Sequence, residues 1–136
     1  MRDIYRFAVF MAAASIVFFG VLVFVTRKRA NRPTSGILFM LTGVVVVGGM
    51  LFARYGHILL QPPWWIYYGV PASATILLPP ATLRMRRAEI LLYLPVAALM
   101  APAIHVFFSL VAGWHDYMPF PVYIPSFVEL FHRLFR

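Results

Sequence analysis

Four long runs free of Asp, Glu, Lys and Arg divide the chain, over 7–26, 33–53, 55–83 and 90–114. A helix crossing a bilayer needs about 20 mostly apolar residues. The runs therefore predict helices over 4–26, 36–59, 64–83 and 88–113. The third run is long enough to include a turn at Gln61-Pro62-Pro63. In lipid every backbone polar group must be bonded internally, and the two-residue alternation of a barrel strand is not visible, so helices are expected. The first run reads as a retained span and not as a cleaved signal: its apolar segment is too long, and Arg27-Lys28-Arg29 follows it.

A different pattern closes the chain over 125–136. Phe127, Leu130, Phe131, Leu134 and Phe135 recur at the spacing of one helix face, and Glu129, His132, Arg133 and Arg136 fall on the other. Ser126 and Glu129 match the S-x-x-E capping box, one residue after Pro125. Too short to span, this segment is expected as an amphipathic helix lying in the interface or docked on a partner. Pro119, Pro121 and Pro125 predict an extended approach to it.

Composition agrees with these patterns. Of 136 residues, 62% are hydrophobic and 12% charged. A small domain buries the smallest fraction of its surface, so this much apolar side chain must face lipid. The expected class is an all-α integral membrane protein, a single four-helix transmembrane domain with proline-kinked third and fourth spans. The kinks follow from Pro71, Pro79 and Pro80 in one span and Pro95 and Pro102 in the next. Ser73, Thr75 and Thr82 are the local groups that can meet the carbonyls these prolines free. Gly49-x-x-x-Ala53, Gly69-x-x-x-Ser73 and Ala97-x-x-x-Ala101 offer small-residue packing contacts.

The net charge of +8 does not point to nucleic acid, because the cations sit in short clusters between apolar runs. Arg27, Lys28, Arg29 and Arg32 occupy the first loop, and Arg84, Arg86 and Arg87 the third. These seven residues orient the spans or contact anionic lipid. Arg2, Arg6, Arg54, Arg133 and Arg136 belong to the other side, which predicts both basic loops in the cytoplasm and both termini outside, in a bacterial inner membrane. Trp64, Trp65 and Trp114, with every tyrosine except Tyr93, fall on the predicted outer side, as expected of rings at a membrane–water boundary.

Chemistry is sparse. Cysteine is absent, which excludes disulfides and thiolate sites, and only Asp3, Glu89, Asp116 and Glu129 are acidic. No zinc-protease, nucleophile-elbow, P-loop or dinucleotide-binding motif occurs, so an enzyme is not expected. The polar residues that stand out lie toward the outer ends of the spans: Arg54, His57, His105, His115 and Asp116, with Tyr67 and Tyr68 at similar depth. Three readings apply. In the first, Arg54 snorkels to the headgroups, His57 sits at the boundary and His105 donates a hydrogen bond between helices. Alternatively, His57 and His105 ligate a haem, with Arg54 near a propionate. In the third, the group binds an anionic or quinone-like ligand or a lipid headgroup. The expected function is a non-catalytic small subunit of a larger membrane complex, partnered by another membrane protein or a second copy. A transporter component or small-ligand carrier using Arg54, His57 and His105 is the alternative, and a haem-bearing anchor the third.

Overall fold

The computed structural model describes residues 2–61, 63–115 and 123–134, and these form helices joined by short loops, with no strand among them. The elements are α1 (Arg2–Thr26), α2 (Ser35–Thr42), a π-helical stretch (Gly43–Gly48), α3 (Gly49–Leu60), α4 (Trp64–Thr82), α5 (Arg87–Ala112) and α6 (Phe127–Leu134). Three helical runs, Asp3–Thr26, Ser35–Gly56 and Arg87–Ala112, are long and apolar enough to cross a membrane. Helix α4 has 19 residues, yet it is not among them. Its opening Trp64-Trp65 and Tyr67-Tyr68 and its three prolines dilute the Ile, Leu and Val that drive insertion.

The chain divides into two compact units, Met1–Ala97 and Ala98–Arg136, with the break inside α5. In the first unit, α1 packs on α2 and on the π-helical stretch, while α4 packs on that stretch and on α3. One stripe of α1 is buried: Phe10, Ala14, Phe18, Val21, Leu22 and Val25. These positions recur every three or four residues, the period of a single helix face. Across from them, Leu38, Leu41, Val45 and Val46 are buried on α2 and the π-helical stretch. Phe19 and Phe39 stack between α1 and α2, with centroids 4.7 Å apart. Thr26 and Thr42 are buried and return their hydroxyls to their own helices, at Leu22 O and Leu38 O, both at 2.8 Å.

The faces turned away from this core are apolar too. Ile16, Phe39, Leu59, Leu77 and Leu91 are each more than 60% exposed, an outcome expected where the surrounding solvent is hydrocarbon. Of the two glycine-led small-residue contacts expected from the sequence, one brings helices close. A Cβ on Gly49 would sit 3.2 Å from the Pro71 Cβ, so α3 and α4 meet there. Gly69 faces open space.

Helix α4 stays helical through Pro71, Pro79 and Pro80. The Thr75 hydroxyl donates to the Pro71 carbonyl at 2.9 Å. At the Thr75 carbonyl the donor is a different group. Pro79 and Pro80 lack the N–H groups that would reach it from one turn ahead, and the Tyr93 hydroxyl, from α5, donates to it at 2.5 Å. The sequence offers Ser73, Thr75 and Thr82 as local groups for freed carbonyls; at the Thr75 carbonyl the donor is a tyrosine of the next helix.

Candidate functional site

The two ends of the first unit differ in chemistry. At one end, the loop after α1 and the loop between α4 and α5 are tied together by Arg29. Its Nε and Nη2 donate to Glu89 Oε1 and Oε2 at 2.7 and 2.6 Å. Nη1 donates to the Leu83 carbonyl at 2.8 Å, and Nη2 also reaches the Arg84 carbonyl at 3.4 Å. One planar guanidinium thus binds a carboxylate in bidentate fashion and caps the end of α4. Arg84 adopts a left-handed conformation, φ 45°, which turns the chain out of α4. Glu89 Oε2 also accepts the Arg86 N–H at 2.8 Å, so the carboxylate closes the first turn of α5. The Arg29 and Glu89 side chains are 16% and 14% exposed, and the carboxylate raises the Arg29 pKa above its ordinary value.

Around this clamp, Arg27, Lys28, Arg32, Arg84, Arg86 and Arg87 are all exposed. The Arg27 guanidinium lies over the Phe24 ring, 4.1 Å from its centroid. Arg29, grouped in sequence with the other cations of its loop, is set apart from them by its carboxylate partner. The signal for this was present in part: Glu89 is the one acid beside the two basic loops. Four cations in the first loop were equal candidates for it.

The opposite end carries aromatic rings. Tyr5, Tyr55, Trp64, Trp65 and Tyr68 are exposed. Tyr67 and Tyr68 lie 4.6 Å apart between centroids, tilted by 57°. Arg54, half-buried on α3, places its guanidinium 4.4 Å from the Phe7 ring centroid, a cation–π contact between α3 and α1. His57 lies on α3. Arg54, His57, Tyr67 and Tyr68 all belong to the first unit; His105 and His115 belong to the second.

In the second unit His105 is 2% exposed on α5. Helix α5 ends at Gly113, whose φ of 64° is one that glycine adopts without strain. Ser109, fully buried, donates its hydroxyl to the Trp114 carbonyl at 3.2 Å, and His115 Nδ1 lies 3.3 Å from the same hydroxyl. Trp114 stacks on Phe108 within 5° of parallel. The His115 ring packs against Tyr123, 4.9 Å between centroids. Asp116 and Phe135, named from the sequence as ligand and docking residues, lie outside the described residues.

The capping box at α6 is formed. The Glu129 N–H donates to Ser126 Oγ at 3.4 Å, and the Ser126 N–H donates to Glu129 Oε2 at 3.3 Å. The Tyr123 hydroxyl also donates to Glu129 Oε2, at 2.5 Å. That hydrogen bond lowers the Glu129 pKa and raises that of Tyr123. Phe127, Leu130, Phe131 and Leu134 are exposed on the helix so capped. Among the described residues, no three His, Asp or Glu side chains converge as a metal site would require. Set against family models, curated proteins and solved structures, the chain matches none of them.

Proposed function

We propose that this chain is a four-span integral membrane protein of a bacterial inner membrane, acting as a non-catalytic subunit of a larger membrane assembly. Helix α4 is the fourth span, its path shaped by Pro71, Pro79 and Pro80. Both basic loops lie in the cytoplasm and both termini outside. Three features support this topology: α4 has no charged residue over its 19 positions, Arg29 joins the first loop to the third, and the cation-rich and aromatic-rich ends are opposite ends of the same helices.

The observation that carries the subunit role is the apolar face of α6. Phe127, Phe131 and Leu134 are 59%, 63% and 79% exposed, on a helix whose start is locked by Ser126, Glu129 and Tyr123. A helix held in shape with its apolar face uncovered is suited to dock on another apolar surface. Photo-crosslinking from positions 127, 131 and 134 in intact membranes tests the role. A discrete protein adduct, a second copy or another membrane chain, is the expected product. Crosslinks to lipid alone, together with a monomeric mass of 15.5 kDa in mild detergent, would overturn it.

A further inference from the structure

We propose that the loops over 27–32 and 84–87 form one composite surface that binds the phosphate of an anionic phospholipid headgroup. Sequence alone places two basic loops between spans. The structure joins them. Arg29 reaches Leu83 O, Arg84 O and the Glu89 carboxylate, so residues 60 positions apart share one ion pair. Glu89 is consumed by that pair and by the Arg86 N–H. What remains facing outward is Arg27, Lys28, Arg32, Arg84, Arg86 and Arg87, all exposed, with no other acid in either loop.

The border of this surface identifies the occupant as an amphiphile. Phe24 is 39% exposed directly beneath the Arg27 guanidinium. Ile37, Phe39, Leu78, Leu91 and Leu92, from α2, α4 and α5, are exposed within a few turns of the same loops. A cation held over an exposed apolar ring stands at the depth where acyl chain gives way to phosphate. A free anion would use the cations and leave the apolar border unused; a phospholipid uses both. Each Lys or Arg near an anionic surface strengthens association by roughly five-fold. The clamp adds geometry by holding the two cation groups as one surface.

The inference rests on the two loops sharing a membrane side, and its test separates the two ideas. The full chain in mild non-ionic detergent is titrated with phosphatidylglycerol, with phosphatidylcholine of the same acyl chains, and with inorganic phosphate. Thermal stability and retained lipid by native mass spectrometry are read. Phosphatidylglycerol is expected to raise the melting temperature and stay bound, and the other two are not. Replacing Arg27, Lys28 and Arg32 by Gln, or Arg84, Arg86 and Arg87 by Gln, is expected to weaken phosphatidylglycerol binding by ten-fold or more in either case. Glu89→Gln supplies the sharper arm. It makes the chain more positive, so a diffuse charge effect strengthens binding, whereas a surface assembled by the clamp weakens. If Glu89→Gln does not fold, Arg27→Gln combined with Arg84→Gln asks whether the two loops act together. Equal response to both lipids, a response to inorganic phosphate matching phosphatidylglycerol, or tighter binding by a folded Glu89→Gln would overturn the inference. Reporters at residues 30 and 86 landing on opposite sides would instead remove the topology beneath it.

Discussion

The Tyr93 hydroxyl donates to the Thr75 carbonyl, the one acceptor in α4 that has a proline at both the fourth and the fifth position ahead of it. Tyr93 is fully buried, so this bond is made where water is excluded. A helix carrying Pro79-Pro80 in its last two turns would otherwise leave that carbonyl unmet in an apolar medium, at a cost of about 1–3 kcal/mol. The relationship fixes α4 against the opening turns of α5 and turns a helix-breaking dipeptide into a packing contact.

Tyr93→Phe is accordingly expected to destabilise the protein. Side-chain hydrogen bonds between membrane helices average about 0.6 kcal/mol, because the alternative partners are many. Here the backbone donors at the fourth and fifth positions ahead are both missing, so about 1–2 kcal/mol is expected. Pro79→Ala restores an N–H one turn from Thr75. In that background Tyr93→Phe is expected to cost well under 1 kcal/mol, and a double-mutant cycle in detergent unfolding measures the difference. Equal costs in the two backgrounds would show that the hydroxyl's contribution does not depend on the backbone donor that Pro79 removes.

The Arg29–Glu89 pair leads to a second expectation. Arg29→Lys retains the charge but cannot hold both carboxylate oxygens and two carbonyls in one plane. Removing one partner of a fully buried pair costs about 3–5 kcal/mol, and this pair is partly exposed, so about 1–2 kcal/mol is expected for Arg29→Lys and more for Arg29→Ala. The loss is expected to come with faster proteolysis or labelling near Arg84, whose left-handed turn the guanidinium holds. Urea or SDS unfolding, with limited proteolysis, reads both.

Gly49 and Gly69 are alike in sequence, each four residues ahead of a small residue. The structure separates them. Gly49→Ala must push a Cβ to within 3.2 Å of Pro71, so a loss of about 1 kcal/mol is expected, and about 3 kcal/mol for Gly49→Leu. Gly69→Ala meets nothing within 4 Å and is expected to be neutral or to stabilise by up to about 1 kcal/mol through helix propensity. Thermal melts of the three variants decide it; matching losses at both positions would mean that α4 presents its other face to α3.

What the chain reveals of this arrangement before folding is uneven, for physical reasons. Helix boundaries are legible because basic loops separate α1 from α2 and α4 from α5, and Gln61-Pro62-Pro63 breaks the uncharged run between α3 and α4: the expected helices start and stop within two residues of α1, of the continuous α2–π–α3 run, of α4 and of α5. The α6 cap is legible because a capping box is a local contract between residues three apart. The Arg29–Glu89 pair is not, since any of four cations could have met that carboxylate. Nor is the π-helical stretch at Gly43–Gly48: its run of valines says only that it is apolar, and a wider turn is chosen by packing against α1 and α4. At the candidate ligand site, depth counting grouped Arg54, His57 and His105, and it carried no information on helix rotation. Arg54 has a contact that counting did not suggest, the Phe7 ring.

The order of α6 is expected to depend on pH from both sides. Glu129 is lowered in pKa chiefly by the hydrogen bond from Tyr123, against an ordinary value of about 4.3. A carboxyl lowered by folding stabilises the folded form above its unfolded pKa, and that support is lost as pH falls through the folded one. Tyr123 is raised above its ordinary value of about 10 by the same bond. Its support is present below the unfolded pKa and is lost as pH rises through the folded one. The helix start is therefore expected to be firm across neutral pH and to loosen below about pH 4 and above about pH 10. Arg133 and His115 face the same groups and favour the charged carboxylate, which shifts the acid limb further down. Glu129→Gln removes the acid limb and Tyr123→Phe the alkaline one. Amide exchange at Glu129 and Leu130, followed in the full chain across this range, reads both limbs separately. An acid limb that survives in Glu129→Gln would assign it to another group.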